Sequence, residues 1–152
     1  MNSKKGTADP LLATLVNAGK AQEHAISINA EIHMVKDISN AYLINTADGD
    51  VMINTGFMSN GEQNKTRLEP FRSGPLRAIL LTQAHPDHYG GVPDFKEQGT
   101  QIIAGSGFAA TWDFFHMLDK YLRRRSGVVW SSAIKNRTLV PPHVLPDQEI
   151  AA

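Results

Sequence analysis

The chain has 152 residues, 41% of them apolar, which suits one domain with a modest core. Its fifteen basic and fifteen acidic side chains cancel, so no global field draws it to nucleic acid or an anionic membrane. It has no cysteine, which removes disulfides, thiol catalysis and cysteine-held metals.

Residues 1–25 read as a flexible lead-in with a short helix over 11–23, interrupted by Gly19. The apolar run at 11–16 is too short for a signal peptide, and no run approaches the roughly twenty apolar residues that span a bilayer. A cytoplasmic protein without a membrane partner is expected. Residues 26–35 alternate well enough for one or two strands, with His33 on a strand surface. Strand-like runs at 41–46 and 51–54 flank Ala47-Asp48-Gly49-Asp50, whose Asp-Gly pair is a hairpin signal. Asn54-Thr55-Gly56 follows as a polar turn. Residues 61–71 suit a helix ended before Gly74-Pro75, and 76–81 a buried strand.

Chemistry concentrates directly after that strand, in Thr82-Gln83-Ala84-His85-Pro86-Asp87-His88-Tyr89-Gly90-Gly91. His85, Asp87 and His88 offer two imidazoles and a carboxylate, donor types that suit zinc and other borderline divalent ions. Their place at a strand's carboxyl end is where open α/β sheets form sites. Pro86 disfavours helix at His85 but is at home in a turn or a first helical position, which brings Asp87 to a helix amino end. The plainer reading of Asp87 beside His88 is a helix cap.

A short helix is expected at 93–97 and a strand at 101–104. The longest helical candidate is 107–125, where Phe108, Trp112, Phe115, Leu118 and Leu122 form one apolar stripe. That stripe packs a core or walls a substrate channel or dimer interface. Lys120-Tyr121-Leu122-Arg123-Arg124-Arg125 would close the helix as a solvated basic end or bind a substrate anion. His116 reads as a helix-face residue and His143 as an exposed loop residue. Residues 127–152, broken by Pro141, Pro142 and Pro146, read as an extended arm.

The motif resembles the Thr-His-x-His-x-Asp-His signature of the metallo-β-lactamase superfamily, and Asn54-Thr55-Gly56 resembles its Asp-Thr-Gly turn. The likeness covers residues 32–105, with hairpin, turn, helix, strand and motif in the family's order. His88-Tyr89-Gly90-Gly91-Val92, Gln101-Ile102-Ile103-Ala104-Gly105 and the aromatic, basic helix look similar to alkyl-sulfatase-like members. The resemblance implies an α/β fold, the αββα sandwich built from two similar halves, with this chain supplying the N-terminal half as a core at 26–126. By position, His85 would be a ligand of a first metal, and Asp87 and His88 ligands of a second. Gln83 stands where a histidine is expected, and its neutral amide weakens the first site. Zinc, as one or two ions, is the implied cofactor, with iron or manganese as alternatives.

The function so implied is hydrolysis of an ester-like small molecule, with a sulfate ester preferred, by metal-activated water. Asp87 would ligate and take up a proton, while Tyr89 would stabilise developing charge or simply pack. The remaining ligands would come from the other half, so the single chain is expected to be incomplete. The alternative is a catalytically silent assembly module that keeps half of the hydrolase scaffold. Either way, half a sandwich leaves an apolar sheet face that calls for a homo-oligomer or a complementary half-domain.

Overall fold

Among the described residues, seven strands lie side by side in chain order in one sheet. The computed structural model describes residues 14, 17–130 and 141–151, with backbone alone for 123 and 126–130. Strands β1 (Ile26–Ser27), β2 (Ile32–Val35), β3 (Ala41–Thr46) and β4 (Gly49–Ile53) form an antiparallel meander. Strands β5 (Leu76–Leu81), β6 (Gln101–Gly105) and β7 (Gln148–Ile150) add in parallel. Helix α1 (Gly61–Leu68) and a 3₁₀ turn (Glu69–Phe71) lead from β4 to β5. Two single turns, α2 (Pro86–Tyr89) and α3 (Val92–Phe95), lie between β5 and β6, and α4 (Phe108–Met117) and α5 (Asp119–Trp130) follow β6.

Strand register sorts the side chains onto two unlike faces. Val35, Ala41, Leu43, Met52, Ile79, Leu81, Ile102 and Ala104 are buried in one core with Leu68, Val92, Phe95, Phe108 and Trp112 of the helices. The opposite face carries the paired residues Tyr42 and Ile53, Ile44 and Val51, Val51 and Ala78, Ile53 and Leu80, and Leu80 and Ile103. Every one of these is part-exposed. Among the described residues the molecule is therefore an α/β layer pair whose second sheet face is apolar and part-exposed.

A buried ionic network fixes the entry to β5. Asp50, fully buried, accepts from Arg72 Nε at 2.7 Å, Ser73 Oγ at 2.6 Å and Asn45 Nδ2 at 2.9 Å. Arg72 also reaches Glu97 at 2.8 Å, and Glu97 in turn accepts the Leu76 N–H. Burial alone would raise the Asp50 pKa, but the hydrogen bonds from Ser73, Asn45, Arg72 and Gly74 outweigh it and hold the carboxyl at about 2.

The structure departs from the sequence reading in five places. His33 is buried rather than on a strand surface, bonded to Ser27 Oγ at 2.9 Å and Asn45 Oδ1 at 3.2 Å, with Phe71 against its ring. The hairpin is tighter than expected, because Gly49 and Asp50 already belong to β4. The single long helix is two, divided at Leu118, whose ψ of 3° leaves the helical region before Asp119 opens α5. The basic run does not end a helix, since α5 continues to Trp130. The segment read as an extended arm returns to the chain's own sheet as β7, with Val144 in the core.

Of the expected lead-in and short helix, residues 1–13, 15 and 16 lie outside the described residues, and 17–21 form a turn with Gly19 at φ 77°. Residues 131–140 of the arm also lie outside them. Among the described residues no helix is long and apolar enough to cross a membrane.

Candidate metal centre

The carboxyl end of β5 is held by the turn after β4. Asn54 adopts φ 56°, unusual without glycine, and its Oδ1 accepts both the N–H and the hydroxyl of Thr82, at 3.1 and 3.0 Å. Thr55 answers from the same turn, donating its N–H and its hydroxyl to the His88 carbonyl at 2.8 and 3.1 Å. The Asn54-Thr55-Gly56 turn is thereby bonded to both ends of the motif.

Pro86 takes the first position of α2, where its fixed φ suits a helix start, and Asp87 lies in that first turn. His88 N–H closes the turn on the His85 carbonyl at 2.9 Å. A Cβ on Gly90 would stand 2.3 Å from the Pro86 carbonyl and 2.4 Å from the Met58 nitrogen, so backbone packs directly on backbone there.

His88 has its tautomer dictated by these bonds. Because the Thr82 N–H identifies the Asn54 atom as the oxygen, the Thr82 hydroxyl must donate to it. Thr82 Oγ1 is then left to accept, and its 2.9 Å neighbour is His88 Nδ1. The proton of His88 therefore sits on Nδ1 and the lone pair on Nε2, the arrangement of a metal-binding imidazole. Burial pushes the His88 pKa below its ordinary value, and nearby His85 acts in the same direction against the Asp87 carboxylate. The ring is thus neutral near neutral pH.

Three groups meet at His88 Nε2. Asp87 Oδ2 lies 3.6 Å away, Ser39 Oγ 2.8 Å and Gln83 Nε2 2.5 Å. Ser39 Oγ also donates to Asp87 Oδ2 at 2.5 Å. Gln83 spends the other side of its amide on His85 Nδ1, at 2.7 Å. Asp87 and His88 thus converge, while His85 joins them only through Gln83. Among the described residues no trio of histidine and acid side chains gathers closely enough to hold an ion. The convergent pair nevertheless fits one: a tetrahedral ion with bonds of about 2.1 Å separates its ligand atoms by about 3.4 Å.

The other sequence-predicted residues divide clearly. Tyr89 packs, buried against the edge of Phe108 with its hydroxyl pushed up to about 12 by burial, so the packing alternative describes its place. Phe115 reaches the motif, its ring 4.6 Å from that of exposed His85. His116 and His143 are exposed, and both rings rest against Trp112, at 4.0 and 4.8 Å. Ser39 carried no sequence signal: it is 48 residues from Asp87 and sits in an unremarkable connector.

Residues 34–151 match the family model described as the metallo-beta-lactamase superfamily. The alkyl/aryl-sulfatase BDS1 of Saccharomyces cerevisiae is 33% identical over a 105-position alignment that covers 59% of this chain and 16% of that protein. The inverting sec-alkylsulfatase Pisa1 from Pseudomonas sp. superposes with a TM-score of 0.63 at 19% identity, over 83% of this chain and 22% of that one. The subclass B3 metallo-beta-lactamase BJP-1 of Bradyrhizobium japonicum gives 0.59 at 24% identity, over 87% and 47%. At these identities the two solved structures show a shared fold. The chain spans less than half the length of each of these three relatives.

Proposed function

We propose that this chain, which belongs to the metallo-β-lactamase superfamily, carries the divalent-metal portion of a hydrolase that cleaves an ester-like substrate, a sulfate ester by preference. The observation that carries this reading is the convergence of a carboxylate oxygen and an imidazole lone pair, 3.6 Å apart at the end of β5, with the imidazole tautomer fixed by Thr82. Zinc is the ion its N and O donors suit, and such an ion supplies a Lewis acid and a water ionisable near neutral pH. Asp87 and His88 would hold it, with His85 and Gln83 beside them. Asp87 would also accept a proton, and burial holds the His88 pKa below its ordinary value. The sulfate-ester preference draws on the likeness to the yeast alkyl/aryl-sulfatase, a likeness that spans a small share of that protein.

The test is zinc titration of the full chain after chelation, beside His88→Ala and Asp87→Asn, followed by an aryl sulfate and carboxylate ester screen. About one ion per chain, lost in both variants, is the expected result. No uptake by the parent would overturn the reading.

One observation favours a second reading, an assembly module without turnover: the part-exposed apolar face of β3 to β6. Apolar patches of this kind are covered by partners. The partner proposed is a second copy of this chain or a complementary half-domain, and a stable oligomer with no zinc and no turnover would establish it.

A further inference from the structure

Ser39 lies in the connector between β2 and β3, and that connector is pinned with unusual thoroughness. Asp37, 4% exposed, accepts from Ile38 N at 2.6 Å, Phe57 N at 3.0 Å, Asn60 Nδ2 at 2.8 Å and Asn64 Nδ2 at 2.7 Å. Its own N–H goes to Asn40 Oδ1 at 3.3 Å. The carboxylate ties the connector to the loop after β4 and to α1, and between the tied residues a single short hydroxyl projects onto the end of β5. There it meets the two atoms best suited to a cation, Asp87 Oδ2 and His88 Nε2.

The proton accounting defines what Ser39 does. A carboxylate only accepts, so the Ser39 hydroxyl donates to Asp87 Oδ2, in a short charge-assisted bond. His88 Nε2 carries a lone pair, because its proton is held on Nδ1 by Thr82. The Ser39 oxygen also lies 2.8 Å from that nitrogen, whose lone pair accepts from the Gln83 amide at 2.5 Å. Ser39 thus touches both candidate ligand atoms and is bonded to one of them, Asp87 Oδ2.

Resting on the metal-site reading above, we propose that Ser39 is a positioning residue of the divalent-cation site. It acts through Asp87, by holding one carboxylate oxygen at bonding range of the ion that His88 also holds. Freed of the hydroxyl, Asp87 loses the partner that orders it, and a cation must then immobilise the side chain at its own cost.

The experiment is zinc titration of the chelator-treated full chain with Ser39→Ala and Ser39→Thr, each first checked by thermal melting without metal. Ser39→Ala is expected to melt with the parent yet bind zinc about tenfold more weakly, or worse. Ser39→Thr, which keeps the hydroxyl, is expected to recover most of that loss. Alanine and parent affinities that coincide would remove the role of Ser39 while leaving the ion site standing. A parent that takes up no zinc would remove both together. Equal losses in alanine and threonine variants would show that bulk or backbone, and not the hydroxyl, was at stake, and would also overturn the assignment.

Discussion

Thr82 Oγ1 lies 2.9 Å from His88 Nδ1 while giving its own proton to Asn54 Oδ1, so one hydroxyl decides which nitrogen of His88 faces the site. Thr82→Val keeps the shape and removes that decision. Zinc affinity should fall about tenfold, within the range seen when outer partners of ligating histidines are lost. Thr82→Ser should bind like the parent. Competition against a chromophoric chelator measures both, and a valine variant with parental affinity would end this account of the tautomer.

Gln83→His replaces an amide that now bridges His85 and His88 with a third imidazole. The expected outcome is a higher zinc stoichiometry, measured by elemental analysis after gel filtration. An unchanged ion count would mean that His85 cannot join a metal even when given a histidine partner.

Asp50 makes stability depend on acid. Its folded pKa of about 2 lies below the ordinary value of 3.8, so the stabilisation is fully present above about pH 4 and is lost as pH falls toward 2. The shift corresponds to about 2 kcal/mol. Chemical denaturation across that window should show the loss in the parent and not in Asp50→Asn. The asparagine variant should already be less stable at neutral pH by about 2 kcal/mol, since Arg72 loses one of its two carboxylate partners and keeps Glu97. Equal pH slopes in the two proteins would sink the assignment.

Gly90→Ala sets a methyl group against the Pro86 carbonyl and the Met58 nitrogen. Neither atom belongs to a side chain that can turn aside, so a loss of about 1–3 kcal/mol is expected, with α2 displaced. Thermal melting checks the stability. Zinc titration of the same variant should show a weakened site, because Pro86 and His88 ride on that turn.

Ile53→Glu places a charge amid the part-exposed apolar face, opposite Tyr42 and Leu80. The parent chain is expected to sediment as an oligomer and the variant as a smaller species, with the helix-side core intact by circular dichroism. A parent that sediments as a monomer would exclude self-association through this face.

What the sequence made legible followed from local pattern. The run 76–81 matches β5 residue for residue, and Pro86 falls at the helix position its ring favours. The apolar second face was also expected, since the resemblance implied half of a sandwich. The polar partnerships were not. Ser39 meets Asp87 across 48 residues, Thr82 meets Asn54 across 28 and Arg72 meets Asp50 across 22. Such pairs leave no periodicity to read. His33 failed for the same reason: read as a strand-surface residue, it is buried among the tertiary partners Ser27, Asn45 and Phe71.

The last strand has a reach beyond its three residues. Glu149 Oε1 accepts the Ala109 N–H at the start of α4, and Asp147 is bonded to Ile102 through both its backbone and its carboxylate. Further along α4, Phe115 lies against the ring of His85. Residues 147–150 and His85 of the motif are therefore joined through the contacts of a single helix.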